Sequence, residues 1–378
     1  MMRRFTFLLS LALVGGCGTT PSGADPTPGV RGAALTSTLS VHVVREDDQT
    51  ALPGASVDVG GPSVTTDANG DARLTAVGSA TVHVALAGYV GERWIGVDRD
   101  HVTIGLATPN PERPLGGTIT AGTSDLGVAA ATTLTMLRTS SPNDSVGVCA
   151  GDHCAVSLSV QTLEPTIDVL LVDSTSVRLA QHVAIDGAHF TIDASTATLL
   201  PSLVTLQASI PDAPGLEAVV GVPGIATDGR VALVVAADPS TTNLVAPTLE
   251  GPLAQDRLWF VARAHAPSGG AETMIFDRNV VGTVVHLPSS FLAVPTATRT
   301  ESVDLTVDPE VDFYVLDVRT NVDAERVLVL HPSGAHLTLP IALAGATYVA
   351  LRAVGTSGTV DDLVAAEALA DRTATIRF

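Results

Sequence analysis

LPGASVDVGGPSVTTDANGDARL, residues 52–74, sets two short alternating runs behind two different chain breakers. Pro53-Gly54 comes before Ala55-Ser56-Val57, and Asp67-Ala68-Asn69-Gly70 comes before Asp71-Ala72-Arg73-Leu74. Proline fixes one φ of a tight turn and glycine accepts the unusual one, so the first breaker reads as a turn. In the second, Asp67 is placed to bond the backbone ahead of it and Gly70 to take a left-handed conformation, as in a β-hairpin. Between the turns apolar and polar residues alternate, the period of a half-buried strand.

The same idiom extends on both sides. The first folded block is residues 37–106, and its candidate strands are LSVHVVRE, ASVDVGG, SVTT, DARLTAV, ATVHVALAGY, ERWIGVD and VTIGLA. Alternation is clear in Leu39-Val41-Val43 and again in Val82-Val84-Leu86, which puts His42 and His83 on outward or edge faces. Short Val/Ile/Leu/Thr runs broken by Gly, Pro, Asn and Asp are the pattern of an all-β sandwich.

Three motifs in order, Leu52-Pro53-Gly54-Ala55-Ser56-Val57, Thr66-Asp67-Ala68-Asn69-Gly70 and Ala87-Gly88-Tyr89, carry a family resemblance. Residues 38–106 resemble the carboxypeptidase regulatory-like domain, a seven-stranded sandwich of the transthyretin-like (prealbumin-like) kind. The resemblance implies a fold and an accessory role beside other domains, with no catalytic site of its own. Tyr89 is then expected to plug one end of the sandwich.

Asp67, Asn69 and Asp71 also offer three oxygens at alternating spacing, the start of a calcium loop. A full calcium loop needs a longer spacing and a later Glu, which does not follow. Turn chemistry is sufficient, and calcium is the single cofactor alternative.

The N-terminus, MMRRFTFLLSLALVGGC, has a basic start at Arg3 and Arg4 and an apolar run from Phe5 to Val14. That run is too short to span a bilayer and reads as a signal-peptide core. It ends in Val14-Gly15-Gly16-Cys17, which resembles a bacterial lipobox, with Cys17 the lipid acceptor. A lipidated Cys17 anchors the mature chain to a membrane without spanning it. Gly18, rather than Asp, at the next position favours the outer membrane. Residues 18–36, rich in Gly, Thr, Pro and Ser, read as a flexible tether. Removing Cys17 from the three cysteines leaves Cys149 and Cys154 in VCAGDHCAV, a pair suited to a disulfide across a hairpin tip in an exported protein.

All twenty basic residues are Arg, against 39 Asp and Glu, for a net charge of −19. Such a surface repels nucleic acid, whose binding needs basic patches to displace counterions. Aromatic residues are only 3% of the chain, which leaves few stacking platforms. Trp94 and Trp259 are the candidates for sugar stacking, although Trp259 alternates with apolar neighbours as a core residue does.

Residues 107–117, ATPNPERPLGG, read as a linker. Beyond it about fourteen further strand patterns run through 118–200 and 201–378, enough for one sandwich and then one or two more, with a seam near 295. The length agrees, since 378 residues are a soft prior for two to three domains. Asp361 to Asp371, with an acidic start and Leu363, Ala366 and Leu369 at helical spacing, predicts one short helix.

Catalytic patterns do not assemble. GTSDLG and GTSGT miss the Gly-x-Ser-x-Gly spacing. His331 and His336 lack the HExxH spacing, and His182 and His189 flank a turn. Asp308, Glu310 and Asp312 in VDPEVDF are an acidic strand-end cluster that composition explains. The sequence therefore predicts tandem β-sandwich domains in a lipid-anchored, non-catalytic bacterial envelope protein. Its partner would be a protein or glycan, with the membrane reached through the anchor. Carbohydrate binding, or service as an accessory subunit of a transport complex or hydrolase, are the alternatives.

Overall fold

The computed structural model describes residues 27–46, 48–109, 113–120, 133–137, 144–146, 148–150, 153–160, 166–172, 177–187, 189–193, 196–200, 203–227, 230–233, 244–267, 270–320, 324–339, 345–357 and 370–378. Among them the one helical element is a 3₁₀ turn at Gly251–Leu253, and the rest of the regular structure is strand. The chain is all-β, built as tandem packed sheets. Most of the predicted C-terminal helix lies outside the described residues; its last two positions, Ala370 and Asp371, open the strand Ala370–Arg377.

The first sandwich uses β1 (Gly29–Ala34), β2 (Thr38–Arg45), β3 (Ser56–Asp58), β4 (Val64–Thr65), β5 (Asp71–Thr75), β6 (Ala80–Ala85), β7 (Gly91–Val97) and β8 (Arg99–Leu106). One sheet has the order β1-β8-β2-β5, and β7-β6-β3-β4 form the other layer. Leu39, Val41 and Val43 from β2, Val82 and Val84 from β6, and Ile104 and Leu106 from β8 fill the space between them. Each is buried, as the alternation requires. His42 and His83 sit on the opposite faces of their strands, paired with Asp71 at 2.8 Å and Asp58 at 3.1 Å.

The seven expected strands are β2 to β8. β1 is an eighth, and it corrects the predicted tether, whose residues 29–34 pair antiparallel with β8. Val30 and Leu35 are buried and join the core. An edge strand buries so few side chains that its Gly- and Ala-rich composition read as loop. The predicted linker is shortened in the same way. Arg113–Thr120 is a strand, paired parallel with His189–Asp193 and antiparallel with His153–Val160 inside a nine-stranded sheet. Both its partners are distant in sequence, and its Pro and Gly content hid it.

Residues 53–66 show how local chemistry fixes the first sandwich. Thr66 is 5% exposed; its hydroxyl donates to Leu52 O at 2.8 Å and accepts from Ala55 N at 2.9 Å. That side chain closes the Pro53-Gly54 turn, where Gly54 has φ +82°. Thr66→Val keeps the shape but strands one donor and one acceptor in the core. It should cost about 1–3 kcal/mol in urea denaturation, whereas Thr65→Val on the exposed neighbour should stay within about 0.5 kcal/mol.

The layer β7-β6-β3-β4 does not end at the sandwich. β7 pairs parallel with Ala324–Leu330, so that the layer is one end of a twelve-stranded sheet. Beyond Ala324–Leu330 the order runs through Phe313–Arg319, Tyr348–Thr356, Ala370–Arg377, Ala271–Asp277, Arg257–His265, Glu217–Thr227 and Arg230–Leu233. The core is continuous too: Phe313, Val315, Leu328, Leu330 and Val354 belong to the same buried cluster as Val41 and Trp94. On the other face a second cluster gathers Tyr314, Leu316, Val327, Val329 and Leu351 under the small sheet of Ala297–Arg299, Val303–Thr306 and His336–Leu339.

Glu217–Thr227 is an 11-residue strand that composition argued against, since it contains Pro223, Gly221 and Gly224. Pro223 lies where, among the described residues, the strand has a partner on one side only. Gly221 is required by packing, because a Cβ there would stand 2.5 Å from the Phe260 ring. Conversely VVGTVVHL, residues 280–287, has strand composition but folds back at Gly282, with isolated bridges of Val284 to Val281 and to Gln207 in place of a ladder.

Candidate functional site

The Asp67–Gly70 turn adopts the conformation its sequence requires. Asp67 Oδ1 accepts the backbone N–H groups of Asn69 at 2.8 Å and Asp71 at 3.0 Å, and Gly70 N donates to Asp67 O. Gly70 has φ +78°, and a Cβ on it would meet Val43 O at 2.6 Å. The three calcium candidates do not converge: Asp67 caps its own turn while Asp71 faces His42. Among the described residues no three His, Cys, Asp or Glu side chains gather to hold a metal ion.

The two tryptophans proposed for stacking are both enclosed. Trp94 is 1% exposed inside the first core, so its ring has no face for a sugar. Trp259 is 9% exposed, stacks on Phe276 with centroids 5.2 Å apart, and has the Arg278 guanidinium 4.9 Å from its ring centroid. Burial lowers Arg278 to about 10, and its Nε donates to Ala370 O. Tyr89, in the Ala87-Gly88-Tyr89 loop, packs against the first core as expected.

The remaining candidates are turn and strand-end residues. His331 has φ +47° in the turn after Ala324–Leu330, and His336 opens the next strand, its Nδ1 3.5 Å from Thr306 Oγ1. His182 sits at a bulge with φ +55°, its backbone N–H held by Asp168. His189 pairs with Asp186 across a hairpin. Asp308 and Asp312 accept the N–H groups of Glu310 and Thr356, while Glu310 pairs with Arg372 at 2.8 Å. Cys17 lies outside the described residues. Cys149 and Cys154 are Cα partners in the Val148–Ala150/His153–Val160 hairpin.

The most developed polar constellation was not anticipated, and it stands at the joint between β7 and Ala324–Leu330. The register puts Arg326 opposite Glu92 and Leu328 opposite Trp94. Glu92 is fully buried; Oε1 accepts Arg326 Nε at 2.7 Å, and Oε2 accepts the Trp94 indole N–H at 3.2 Å. Arg326 reaches on to Glu46, at 3.2 Å through Nη2. On the other face of the strand, Arg93 Nε donates to Glu325 at 2.8 Å. Burial pushes the Glu92 carboxyl up from 4.5 to about 8, against the opposing pull of Arg326. A strongly shifted acid flags an active site when it lines a cleft. Here both oxygens are occupied by protein donors, and the group joins two parts of one sheet.

An open pocket of about 210 Å³ lies at a sheet end between His265, Gly270, Ala271, Glu272, Thr375 and Arg377. It is smaller than a usual small-molecule cleft. His265, Glu272 and Thr375 are cross-strand neighbours in one row, so the pocket is the mixed-charge margin of the sheet.

No family model and no curated protein matches the chain. Among solved structures it is similar to the Bacillus anthracis TIE protein at 11% identity and a TM-score of 0.19, over 67% of this chain and 46% of that one. The chain thus spans less than half of that protein's length, and a likeness so slight carries no argument about fold or function.

Proposed function

We propose that this chain is a non-catalytic, lipid-anchored protein of the bacterial envelope whose β-sandwich body serves as a structural or binding platform. The observation that carries the reading is the N-terminal run ending in Val14-Gly15-Gly16-Cys17. Its placement agrees: β1 starts at Gly29, so the acceptor cysteine stands just ahead of the folded body. The resemblance of residues 38–106 to carboxypeptidase regulatory-like domains is kept as part of the reading, with its accessory role. A body whose N-terminal sandwich shares sheet and core with strands near residue 370 suits a rigid platform.

The envelope also accounts for the cysteines. Strand partners in non-hydrogen-bonded register lie about 4.5 Å apart at Cα, within the range a disulfide bridges. The Cys149/Cys154 pair is one step outside the Ala150/His153 pair that flanks the hairpin tip. A bridge closing so short a loop contributes only about 2 kcal/mol on the chain-entropy scale. One experiment tests both assignments, namely intact mass and peptide mapping of the membrane-extracted protein. The expected result is an acylated N-terminal Cys17 and a Cys149–Cys154 peptide two hydrogens lighter than the dithiol. Cys17→Ser should move the protein out of the membrane fraction; a protein that stays there without acyl mass would sink the anchor.

A further inference from the structure

Of the four sheet margins in the first sandwich, one is left as a regular open ladder. β7 continues into Ala324–Leu330, β4 is only two residues long, and the pairing of β1 shifts between Arg31 and Ala34. A covered margin, a very short strand and an irregular one are all ways of blunting an edge. β5 has none of these. It pairs with β2 from Thr75 to Asp71 without a shift, and no proline interrupts residues 70–78.

Hydrogen bonds on the inner side fix which groups this edge presents. Val43 N donates to Gly70 O, Ala76 N to Ser37 O and Gly78 N to Leu35 O, all in the β2/β5 register. The even-numbered residues of 70–78 therefore turn their main chain toward β2, and the odd-numbered ones turn theirs outward. Asp71 is already engaged, its N–H by Asp67 Oδ1 and its carbonyl by Asp67 N. Among the described residues nothing bonds the main chain of Arg73, Thr75 or Val77. Their side chains share the outer face of the sheet, and all three are exposed, Val77 at 71%.

We propose that this edge pairs with the same edge of a second copy, antiparallel and two-fold about Thr75, joining the two four-stranded sheets into one. That register uses every open group. Thr75 faces Thr75 of the second copy, and Arg73 of each copy faces Val77 of the other. Each facing pair exchanges two N–H···O bonds. The side chains agree with it. Threonine opposite threonine is a favourable cross-strand pair, and the Arg73 stem covers the exposed valine while its head stays in water. On the core side Leu74 falls opposite Ala76. A two-fold about Arg73 would instead set like charges opposite each other, and one about Leu74 or Ala76 would leave one of the three residues unpaired. The row carries one Asp and one Arg per copy, so a chain of net charge −19 meets itself here at a locally neutral strip. The contact is short, and the dimer is a weak, reversible one.

The pairing does not depend on the lipid anchor, and the register dictates which introduced cysteines can bridge. The full-length chain is oxidised in the cells that make it, with wild type giving the background from its native cysteines. Thr75→Cys should form a cross-linked dimer by itself, since facing Cα atoms lie about 5.5 Å apart, within the reach of a disulfide. Arg73→Cys or Val77→Cys alone should not exceed wild type, because each lies about 14 Å from its own counterpart. Co-expressed, those two variants should cross-link to each other. Adding Thr75→Glu to both should cut that yield about fivefold, because like charges then meet at the axis, while the exposed position spares the fold. Equal cross-linking of all three single variants would mean random collision and overturns the proposal, as does a Thr75→Cys yield no higher than wild type. Bridging by Arg73→Cys or Val77→Cys alone, or an undiminished yield with Thr75→Glu, overturns the two-fold register. A Thr75→Cys adduct with a different protein overturns the second copy as the occupant.

Discussion

Arg326→Leu should be the most damaging single substitution at a charged position, at a cost of about 3–5 kcal/mol at pH 9, because it leaves the fully buried Glu92 facing an apolar side chain. The loss should shrink toward pH 5, where Glu92 holds a proton in both proteins. The sign follows from the direction of the shift. Folding raises the Glu92 carboxyl from 4.5 to about 8, so the folded state binds a proton that the unfolded state releases between those values. Stability from this group is therefore complete below about pH 4.5 and is lost as pH rises through about 8. The slope is at most about 1.4 kcal/mol per pH unit. Glu92→Gln keeps an acceptor for the Trp94 indole and should flatten that slope. Denaturant unfolding followed by Trp94 fluorescence, in a Trp259→Phe background, measures both effects. A wild-type curve that rises from pH 5 to 8, with Glu92→Gln parallel to it, would refute the assignment.

The second large effect is expected at Gly96, in the same joint. Gly96 has φ +91°, and a Cβ there would stand 2.4 Å from Leu330 O, a backbone atom of the neighbouring strand. Alanine therefore meets two costs. The left-handed conformation costs about 1–3 kcal/mol, and the displaced strand a further ~1–3 kcal/mol. Gly60 isolates the first term, since it has φ +87° and nothing within 4 Å of the added carbon. Gly96→Ala should thus destabilise clearly more than Gly60→Ala. It should also speed hydrogen exchange along Ala324–Leu330, whose last partner in β7 is Ile95. Equal losses for the two variants would show that the close approach to Leu330 is not felt.

Local chemistry was legible wherever its partners are local. The Asp67–Gly70 turn, the Pro53-Gly54 turn and the alternation of β2 and β6 depend on neighbours a few residues away, and each adopts the expected form. β1 and Arg113–Thr120 were not, because each is a strand only by virtue of distant partners, and Gly and Pro in them point toward loop. Residues 280–287 failed in the opposite sense: valines favour a strand, yet Gly282 turns the chain back before a ladder forms. The Glu92–Arg326 pair left no local mark that names its partner. Periodicity tells which face of a strand is buried but not which strand lies beside it. The hint available was a Glu alternating with Trp94 on a buried face, which calls for a counter-charge somewhere in the chain. Both stacking candidates were misplaced for one reason: in a chain with so few aromatics, the large rings are consumed by the cores.

The joint between β7 and Ala324–Leu330 also sets an order of events in time. Glu92 and Arg326 are 234 residues apart, so the N-terminal sandwich is synthesised long before the strand that completes it. Until then β7 is an open edge that carries the buried-type Glu92, the kind of edge that pairs with strangers. Closing so long a loop is slow compared with forming the hairpins on either side. The first part of this protein to emerge is therefore among the last to be finished.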